Sequence, residues 1–486
     1  MNQKIFSSQF KQACYWKESM EWPMEVPHQD LPRTADVVVI GSGFTGLSAA
    51  RSLARTGIQV IVLEKDEIGA GASSRNGDIV HPTLGVSGQE LIDRYGIERA
   101  KDLYRVIIDG MEFQRRLIDE EKIDCHFNLS GAFEAAAKPQ HLDWMQERVE
   151  LLREVFDHHT NVIPVADQSK FIGSALYHGG WNDPLGATLH PARLVVGLAE
   201  SALKAGAELH PNTPVVEIET DGSMHLVKTP RGSVRAGSVI LASNGYTDDL
   251  VPALRSRIIP VNITAIATEP FPVDLADRLF PKRYCYWDTF RLFHYYQRTN
   301  ENRLVFGGVN ALSRGGILGQ AQALHDRLAR IFPELAKIKI NYAWDGMIAL
   351  TFDRLPHLGQ IEGIYYALGY NGDSVLLGCY LGSQIAAMVS GESDPLSLSQ
   401  IPFPAKKKTK ELLYTGDSVS AEEAERLGIV NRVVPADELE EETRATAVKL
   451  SLVPPEVMRL TKQRINRAFE IMGLFEARKN QYCIKI

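Results

Sequence analysis

The segment ADVVVIGSGFTGLSAARSLARTGIQVIVLEK, residues 35–65, joins a strand, a glycine turn, a helix, a second strand and a closing acid in one unit. Residues 36–40 form a short Val and Ile run, which is typical of a strand buried on both faces. Gly41, Gly43 and Gly46 fit a tight turn, a close approach of phosphate to backbone, and packing of the helix on the strand. The segment therefore predicts a site that holds a dinucleotide pyrophosphate at a helix N-terminus.

The first predicted contacts of the dinucleotide are residues at the start of this helix and at the end of the second strand. Phe44 and Thr45 open the helix, where unpaired N–H groups and the positive end of the helix dipole favour an anion. Glu64 ends the second strand and can accept hydrogen bonds from the ribose hydroxyls of an adenine dinucleotide, and Lys65 follows it. An acid at this position argues against NADP.

A second loop of small residues, GAGASSRNGD at residues 69–78, follows directly. NAD does not require such a loop, but a cofactor that extends beyond the pyrophosphate would use it, so the loop favours FAD. On composition alone, a flexible surface connection is the alternative. The predicted cofactor contacts in this loop are Gly71, Ala72, Ser73, Ser74, Arg75, Asn76, Gly77 and Asp78.

Three later segments are predicted to complete the cofactor site. Residues 213–218 would form a strand that brings backbone groups to the adenine edge. Residues 239–242 form a buried strand with a tight exit, for which a simple strand end is the alternative. Residues 364–369 form a strand that leads into a second helix beginning near Ser374. The predicted contacts in these segments are Val215, Val216, Ala242, Asn244, Gly245, Tyr370, Asn371, Gly372, Asp373, Ser374 and Val375.

These motifs and their order resemble the FAD-dependent amine and amino-acid oxidase family. This is the group of glycine oxidase, sarcosine oxidase and D-amino-acid oxidase, and the resemblance is greatest to its gamma-glutamylputrescine oxidoreductase branch. It covers most of residues 15–400 and includes TPVVEI, VILASNGYT, WDGMIALTFDRLPHLG and ALGYNGDSV. The resemblance implies that the flavin takes a hydride from the carbon beside a neutral amine, which gives an imine that water hydrolyses. It also implies that the helix after Gly372 faces the flavin pyrimidine ring.

The resemblance implies an α/β fold in which a Rossmann-like FAD-binding domain is interleaved with an α+β substrate domain. The substrate domain would be built on a mixed or antiparallel sheet, and a helical appendage would end the chain. The predicted boundaries are 1–32 for an N-terminal extension, 33–92, 169–257 and 341–400 for the FAD-binding domain, 93–168 and 258–340 for the substrate domain, and 401–486 for the appendage.

Four residues are candidates for catalysis. Arg291 could hold a substrate carboxylate bidentately, although an exposed salt bridge suits it equally. Tyr296 and Trp344 could line the substrate pocket, although strand aromatics are more often core residues. Asp373 and the cofactor-loop residue Asp78 stand where relatives usually carry His and Gly. Either acid could oppose negative charge on a reduced flavin or recruit a cationic amine, and our hypothesis is that both tune the charge of the substrate.

The composition excludes several functional classes. A chain of 486 residues with 44% hydrophobic and 23% charged residues is typical of a soluble protein with more than one domain. Its net charge of -7 gives no reason to expect a nucleic acid or an anionic membrane as partner. The 5 cysteines are scattered without CxxC spacing, which predicts reduced thiols, no metal site and noncovalent FAD. No apolar signal segment is visible, so the expected location is the cytoplasm.

A second resemblance lies at residues 405–475, which resemble the C-terminal part of the enoyl-CoA hydratase/isomerase, or crotonase, family. In that family the oxyanion-hole glycine loops and catalytic acids belong to the earlier part of the fold, and nothing upstream here supplies them. The resemblance therefore implies assembly or docking, as a homo-oligomer or with a protein partner, instead of hydratase activity. A solvated helical appendage without a role is the alternative.

Two functional hypotheses follow from the sequence. The first is an FAD-dependent oxidase or dehydrogenase that acts on a small primary or secondary amine or amino acid, with oxygen or another electron acceptor. The second is a flavin-binding fusion protein with weakened catalysis, whose tail mediates docking to a crotonase-type partner.

Overall fold

The computed structural model describes residues 5–290, 292–308, 316–392, 397–405, 420–426 and 432–451. By internal contacts it divides into two units, Met1–Lys406 and Lys407–Ile486. The strands of the first unit are β1 (Phe6–Lys11), β2 (Thr34–Ile40), β3 (Val60–Leu63), β4 (Ile79–Val80), β5 (Ala132–Ala135), β6 (Asn161–Ile163), β7 (Gly180–Asp183), β8 (Ala187–Thr188), β9 (Glu208–His210), β10 (Glu217–Asp221), β11 (Met224–Thr229), β12 (Gly232–Leu241), β13 (Ile258–Thr268), β14 (Cys285–Asp288), β15 (His294–Arg298), β16 (Leu304–Gly308), β17 (Ile340–Thr351), β18 (His357–Ile361) and β19 (Ile364–Leu368). Its helices are α1 (Tyr15–Glu18), α2 (Phe44–Arg55), α3 (Gly88–Tyr95), α4 (Ile97–Glu121), α5 (His141–Phe156), α6 (Pro191–Ala205), α7 (Pro252–Arg255), α8 (Val273–Leu279), α9 (Gly316–Ile331) and α10 (Ser374–Ser390).

The sheet that contains the dinucleotide segment is parallel at its centre. β2 pairs in parallel with β3 and with β12, and β9 and β19 extend the parallel part on either side. β10 and β11 continue from β12 as an antiparallel meander. Val38 and Ile61 of the central strands have no exposed surface, as expected of parallel strands covered on both faces. This arrangement confirms the predicted α/β fold with a Rossmann-like sheet.

Helix α2 packs between α10 and α6, and α4 packs against α10. The approach of α10 to α2 is close, since a Cβ atom placed on Gly382 would lie 2.4 Å from the carbonyl oxygen of Thr45. Ala49 and Ala50 of α2 are fully buried in the same core. Small residues on facing helices therefore let the middle of α10 pack closely against the first turn of α2.

The second large sheet is mixed, with the order β1-β17-β13-β16-β15-β14-β5-β7-β6. Its longest pairing is antiparallel, between β13 and β17. One face carries Tyr286, Tyr296 and Phe306, which pack in one core with Leu324 and Leu328 of α9. The other face carries Trp344, Ala265 and Val305, which pack with Cys14, Tyr15 and Trp16 around α1.

Several segments predicted for one domain pack with elements of the other. β1, from the predicted N-terminal extension, pairs in parallel with β17 in the mixed sheet. β7, from a segment assigned to the FAD-binding domain, lies in the mixed sheet beside β5. α4, from a segment assigned to the substrate domain, packs on α10. The domain boundaries remain a prediction.

The start of the predicted appendage, residues 401–405, belongs to the first unit. The Phe403 ring stacks on His357 at 4.0 Å, and Arg257 Nε donates a hydrogen bond to the Phe403 carbonyl at 3.1 Å. The second unit, in its described part, contains helices Ala421–Arg426 and Leu439–Ser451. Most of the crotonase-like segment lies outside the described residues, namely residues 406–419, 427–431 and 452–475. Across the described ranges, every helix is too short or too polar to cross a membrane.

Candidate cofactor and substrate site

A cavity of about 750 Å³ opens at the carboxyl ends of β2, β3 and β12. This is where parallel α/β sheets usually bind ligands, and the volume lies within the range of cofactor pockets. The predicted cofactor residues that line it are Gly41, Gly43, Phe44, Thr45, Glu64, Lys65, Gly71, Ala72, Ser73, Arg75, Val215, Ala242, Asn244, Tyr370 and Ser374. The first glycine turn, the second loop and the start of α10 therefore meet at one cavity.

The glycine turn leaves no space for side chains. A Cβ atom on Gly46 would lie 1.9 Å from the carbonyl oxygen of Gly41, and one on Gly43 would lie 2.8 Å from Ser73 Oγ. Gly41 also has a φ of +101°, which favours glycine. Gly46 does not line the cavity itself, but it allows α2 to start directly against β2. Backbone at the helix N-terminus is thus brought to the cavity, as a pyrophosphate requires.

Glu64 is almost fully buried, and its carboxylate is held by backbone and side-chain donors. Its Oε2 accepts hydrogen bonds from Ser42 N at 2.9 Å and Ser42 Oγ at 2.7 Å, while its Oε1 accepts one from Asp66 N at 3.2 Å. Ser42 Oγ also accepts a hydrogen bond from Gly69 N at 2.7 Å. Ser42, which was not among the predicted site residues, therefore connects Glu64 to the second loop. The signal was a small hydroxyl residue between the first two glycines of the turn.

The second loop is anchored to α2 and to itself. Ser73 Oγ accepts a hydrogen bond from Phe44 N at 3.0 Å, so the loop contacts the first turn of the helix. Ser74 is fully buried, and its Oγ donates to the carbonyl oxygen of Gly69 at 2.7 Å. These contacts make the loop a packed part of the site and overturn the alternative of a flexible surface connection.

Two tryptophans hold the same loop from the mixed sheet and from α1. The indole Nε1 of Trp344, on β17, donates to the carbonyl oxygen of Arg75 at 2.8 Å. The indole Nε1 of Trp16, on α1, donates to the carbonyl oxygen of Asn76 at 3.0 Å. Trp344 was predicted to line the substrate pocket. The structure shows it as a buried hydrogen-bond donor to the second loop, residues 69–78, which is called the cofactor loop below.

Tyr296, predicted to be catalytic, lies on the wrong face of its strand for that role. Its ring is fully buried and stacks on Tyr286 at 5.7 Å and on Phe306 at 5.5 Å. Its neighbour Tyr295 faces the second loop, where a Cβ atom on Gly77 would lie 2.2 Å from the Tyr295 ring. Because side chains alternate along a strand, only one of the two tyrosines can face the loop. Tyr296 is a core residue, and Tyr295 contacts the site.

The turn before α10 is fixed by two asparagine side chains. Asn244 Oδ1 accepts a hydrogen bond from Gly369 N, and Asn371 Oδ1 accepts one from Thr351 N, each at 2.9 Å. Asn244 lines the cavity and Asn371 does not. The described contacts of Asn371 thus join the turn to β17.

Four further predicted contacts do not line the cavity. Val216 is 61% exposed and precedes β10, so the predicted strand at 213–218 begins later, at Glu217, and only Val215 reaches the cavity. A Cβ atom on Gly245 would lie 2.7 Å from the carbonyl oxygen of Met347, so this glycine allows close packing on β17. Val375 is buried in the hydrophobic core. Gly372 is exposed at the turn before α10.

The carboxyl groups of Asp78 and Asp373 both favour the neutral, protonated form. Asp78 is fully buried, and neither of its carboxyl oxygens has a hydrogen-bond partner among the described residues. This burial raises the pKa of Asp78 well above its ordinary value. Asp373 is half-buried just before α10, and desolvation raises its pKa to about 8. At neutral pH, neither side chain therefore brings a full negative charge to the site.

Several lining residues were not predicted from the sequence. Asn262 Nδ2 donates to Asp345 Oδ2 at 2.8 Å, which links β13 and β17 at the cavity wall. Tyr246 OH accepts a hydrogen bond from Met347 N at 3.3 Å. Tyr246 stands in the motif VILASNGYT. Asn262 and Asp345 carry no local signal, because strand pairing decides which residues of β13 and β17 reach the wall. Arg291, the fourth catalytic candidate, lies outside the described residues.

The comparisons with known proteins agree with this geometry. Residues 36–388 match the model of the family described as FAD dependent oxidoreductase. Gamma-glutamylputrescine oxidoreductase of Escherichia coli is 32% identical over 377 residues, which cover 76% of this chain and 88% of that protein. The crystal structure of glycine oxidase from Geobacillus kaustophilus aligns with a TM-score of 0.65 and 21% identity, over 76% of this chain and 100% of that chain.

The C-terminal segment has separate relatives. Residues 403–483 match the model described as Enoyl-CoA hydratase/isomerase. A probable enoyl-CoA hydratase of Mycobacterium bovis is 49% identical over 132 residues, which cover 24% of this chain and 48% of that protein. The chain therefore spans about half the length of this hydratase relative.

Replacing Gly46 tests the fit of the glycine turn. We expect Gly46→Ala to weaken FAD binding at least about tenfold, because a side chain placed 1.9 Å from a backbone oxygen displaces α2, and overpacking costs about 1–3 kcal/mol. The measurement is titration of FAD into the deflavinated full chain. Gly110→Ala in α4 is the matched control, since its nearest contacts would be 3.5 Å away. Equal FAD affinity in wild type and Gly46→Ala would refute the assignment of this glycine turn to the FAD site.

Proposed function

The chain belongs to the FAD-dependent oxidoreductase family, and we propose that it oxidises the C–N bond of a small primary or secondary amine or amino acid. The product would be an imine that water hydrolyses. The observation that carries the proposal is the convergence of the glycine turn, Glu64 and the second loop on one cavity. The relatives named as gamma-glutamylputrescine oxidoreductase and glycine oxidase support an amine or amino acid as substrate.

The residues present fit FAD. The turn at Gly41 and Gly43 would hold the pyrophosphate, Glu64 the ribose, and the loop residues Ser73 and Arg75 the part beyond the pyrophosphate. When bound, FAD supplies the hydride acceptor that no side chain can provide. We propose a noncovalent complex, and its support is that the four described cysteines are buried free thiols outside the cavity wall. Cys483 lies outside the described residues.

The protein's own part in the reaction would be to position the substrate and exclude water. We propose that the amine nitrogen is held where Asn262 and Asp345 meet in the cavity wall, since a carboxylate and an amide oxygen both accept N–H hydrogen bonds. Trp344 and Tyr295 would act indirectly, because they fix the loop that borders the cavity. Oxygen or another acceptor would complete the cycle.

Docking through the tail is the second candidate function. Its support is the match of residues 403–483 to the enoyl-CoA hydratase/isomerase model, together with the coverage of only 48% of the hydratase relative. We propose that the tail serves assembly with another copy of the chain or with a crotonase-type partner. Cytoplasmic location also remains our proposal; it is supported by the buried free thiols, and cell fractionation of the source organism would test it.

An anaerobic reduction assay tests the proposed reaction. We expect the oxidised flavin absorbance of the purified full chain to bleach with at least one substrate among primary amines, N-methyl amino acids and gamma-glutamyl amines. The reason is that Asp345, whose carboxylate can accept a hydrogen bond from an amine, lies in the wall of the same cavity as the predicted cofactor residues. Admission of air after bleaching then distinguishes an oxidase, which recovers its absorbance quickly, from a dehydrogenase.

Two controls accompany this assay. Acid precipitation should release the flavin into the supernatant, and flavin retained in the pellet would contradict the noncovalent complex. The variant Asp345→Asn keeps the size of the side chain but removes its charge, so it should reduce more slowly with the bleaching substrate. If a flavin-loaded chain bleaches with no member of the panel, the docking hypothesis becomes the better account.

The raised pKa of Asp373 predicts a pH dependence of reduction. Below about pH 8 the carboxyl is mostly neutral. Above that pH its negative charge offsets the positive N-terminal end of α10, which would otherwise stabilise negative charge on a reduced flavin. We therefore expect the ratio of reduction rates, Asp373→Asn to wild type, to rise as the pH passes through about 8. If the charge raises the activation free energy of reduction in wild type by about 1.4 kcal/mol, this ratio becomes about ten.

The ratio is measured with one substrate, so that the ionisation of the amine cancels. Ser390→Ala, at the far end of the same helix, is the control and should give a ratio that does not change with pH. A constant ratio for Asp373→Asn between pH 6 and 10 would show that Asp373 does not influence reduction.

A further inference from the structure

A second, smaller cavity of about 120 Å³ lies apart from the first and shares none of its lining residues. Its wall is formed by α1, by the segment leading into α6 and by the residues that follow β15. Three arginines, Arg193, Arg283 and Arg298, come from different parts of the chain to this small space. Such a convergence of guanidinium groups is typical of sites that hold carboxylate or phosphate groups.

Two of these arginines already have acidic partners. Arg193 forms an ion pair with Asp124 at 3.1 Å, and Arg298 forms one with Asp277. The side chain of Arg298 is almost fully buried, so its position is fixed by the surrounding fold. Their charges are therefore largely balanced before any ligand enters.

Arg283 has no such partner in the described part of the chain. Its NH1 group donates to two neutral acceptors, the Thr299 carbonyl oxygen at 3.3 Å and Asn300 Oδ1 at 3.2 Å. Burial and the neighbouring Arg298 lower the pKa of Arg283, while the shared Asp277 acts in the opposite direction. A positive charge without its own counter-ion thus remains beside the cavity.

The other titratable groups of the wall do not supply a negative charge for Arg283. Glu301, the acid in the wall, is paired with Arg303 at 3.0 Å. Desolvation raises the pKa of Tyr15 to about 12, so this hydroxyl is neutral. Desolvation lowers the pKa of His190 to about 3, so this imidazole is neutral as well. His126, also in the wall, is exposed and can add only positive charge.

We propose that this second cavity binds a small oxyanion, a carboxylate or a phosphate group, with Arg283 as its main partner. Trp16 lines the cavity and also donates its indole hydrogen bond to the Asn76 carbonyl in the cofactor loop. An anion bound here would therefore contact the residue that supports this loop. The site would link the level of a small anion to the order of the cofactor cavity.

Calorimetric titration of the FAD-saturated full chain tests the proposal without any turnover. The probes are sodium phosphate, sodium acetate and sodium succinate, each at constant ionic strength and against sodium chloride. Saturation with FAD keeps the phosphate probe away from the pyrophosphate site. We expect saturable binding of one anion per chain, which Arg283→Gln weakens at least about tenfold.

The variants and probes separate the outcomes. Arg153→Gln removes an exposed arginine paired with Glu154 on α5 and should leave the affinity unchanged. Arg283→Lys keeps the charge but loses the planar fork, so it should bind with intermediate affinity.

Binding of phosphate alone would assign a phosphate ligand, and binding of acetate or succinate alone would assign a carboxylate. Absence of saturable binding in wild type, or equal affinity in Arg283→Gln, would overturn the proposal. Activity plays no part in this measurement, so its failure is distinct from failure of the proposed reaction.

Discussion

Two indole N–H groups hold neighbouring carbonyl oxygens of the cofactor loop, and the rest of the site depends on them. Trp344 reaches Arg75 from the mixed sheet, and Trp16 reaches Asn76 from α1. The small residues of this loop leave many backbone conformations open. The two buried indole donors, together with the hydrogen bonds that anchor the loop to α2 and to itself, select one of these conformations. The mixed sheet is thus part of the cofactor site, although it belongs to the other layer of the fold.

Burial also explains how the chain tolerates Asp78 and Asp373, where the resemblance implies Gly and His. A carboxylate about 4 Å from a developing negative charge would cost roughly 4 kcal/mol at an effective dielectric of 20. Burial instead raises the pKa of Asp78 and Asp373, so both carry little charge at neutral pH. A largely neutral carboxyl attracts a cationic amine only weakly, and the hypothesis that Asp78 and Asp373 tune the charge of the substrate stays a prediction. Asp345, which retains a hydrogen bond to Asn262 in the cavity wall, is the better candidate.

Local sequence patterns predicted the elements well and the long-range contacts poorly. The helix predicted to begin near Ser374 begins at that residue, and the glycine turn with its following acid lies at the cavity as expected. Each of these depends on residues close in sequence. The choice between Tyr295 and Tyr296 depends on which face of β15 meets the loop, and that is set by pairing with β14 and β16. The role of Trp344 likewise depends on a hydrogen bond that spans 269 positions of sequence.

The central claim, that the two tryptophans shape the cofactor cavity, is tested most directly by the affinity of deflavinated Trp344→Phe for FAD. Phenylalanine keeps the aromatic packing but removes the donor to Arg75, and a buried hydrogen bond contributes about 0.5–1.5 kcal/mol. We expect FAD to bind about two- to tenfold more weakly, with a further loss when Trp16→Phe is added. Trp144→Phe, which changes a partly exposed residue on α5, should bind FAD like the wild type. Unchanged affinity in the Trp344→Phe, Trp16→Phe double variant would contradict this account of the site.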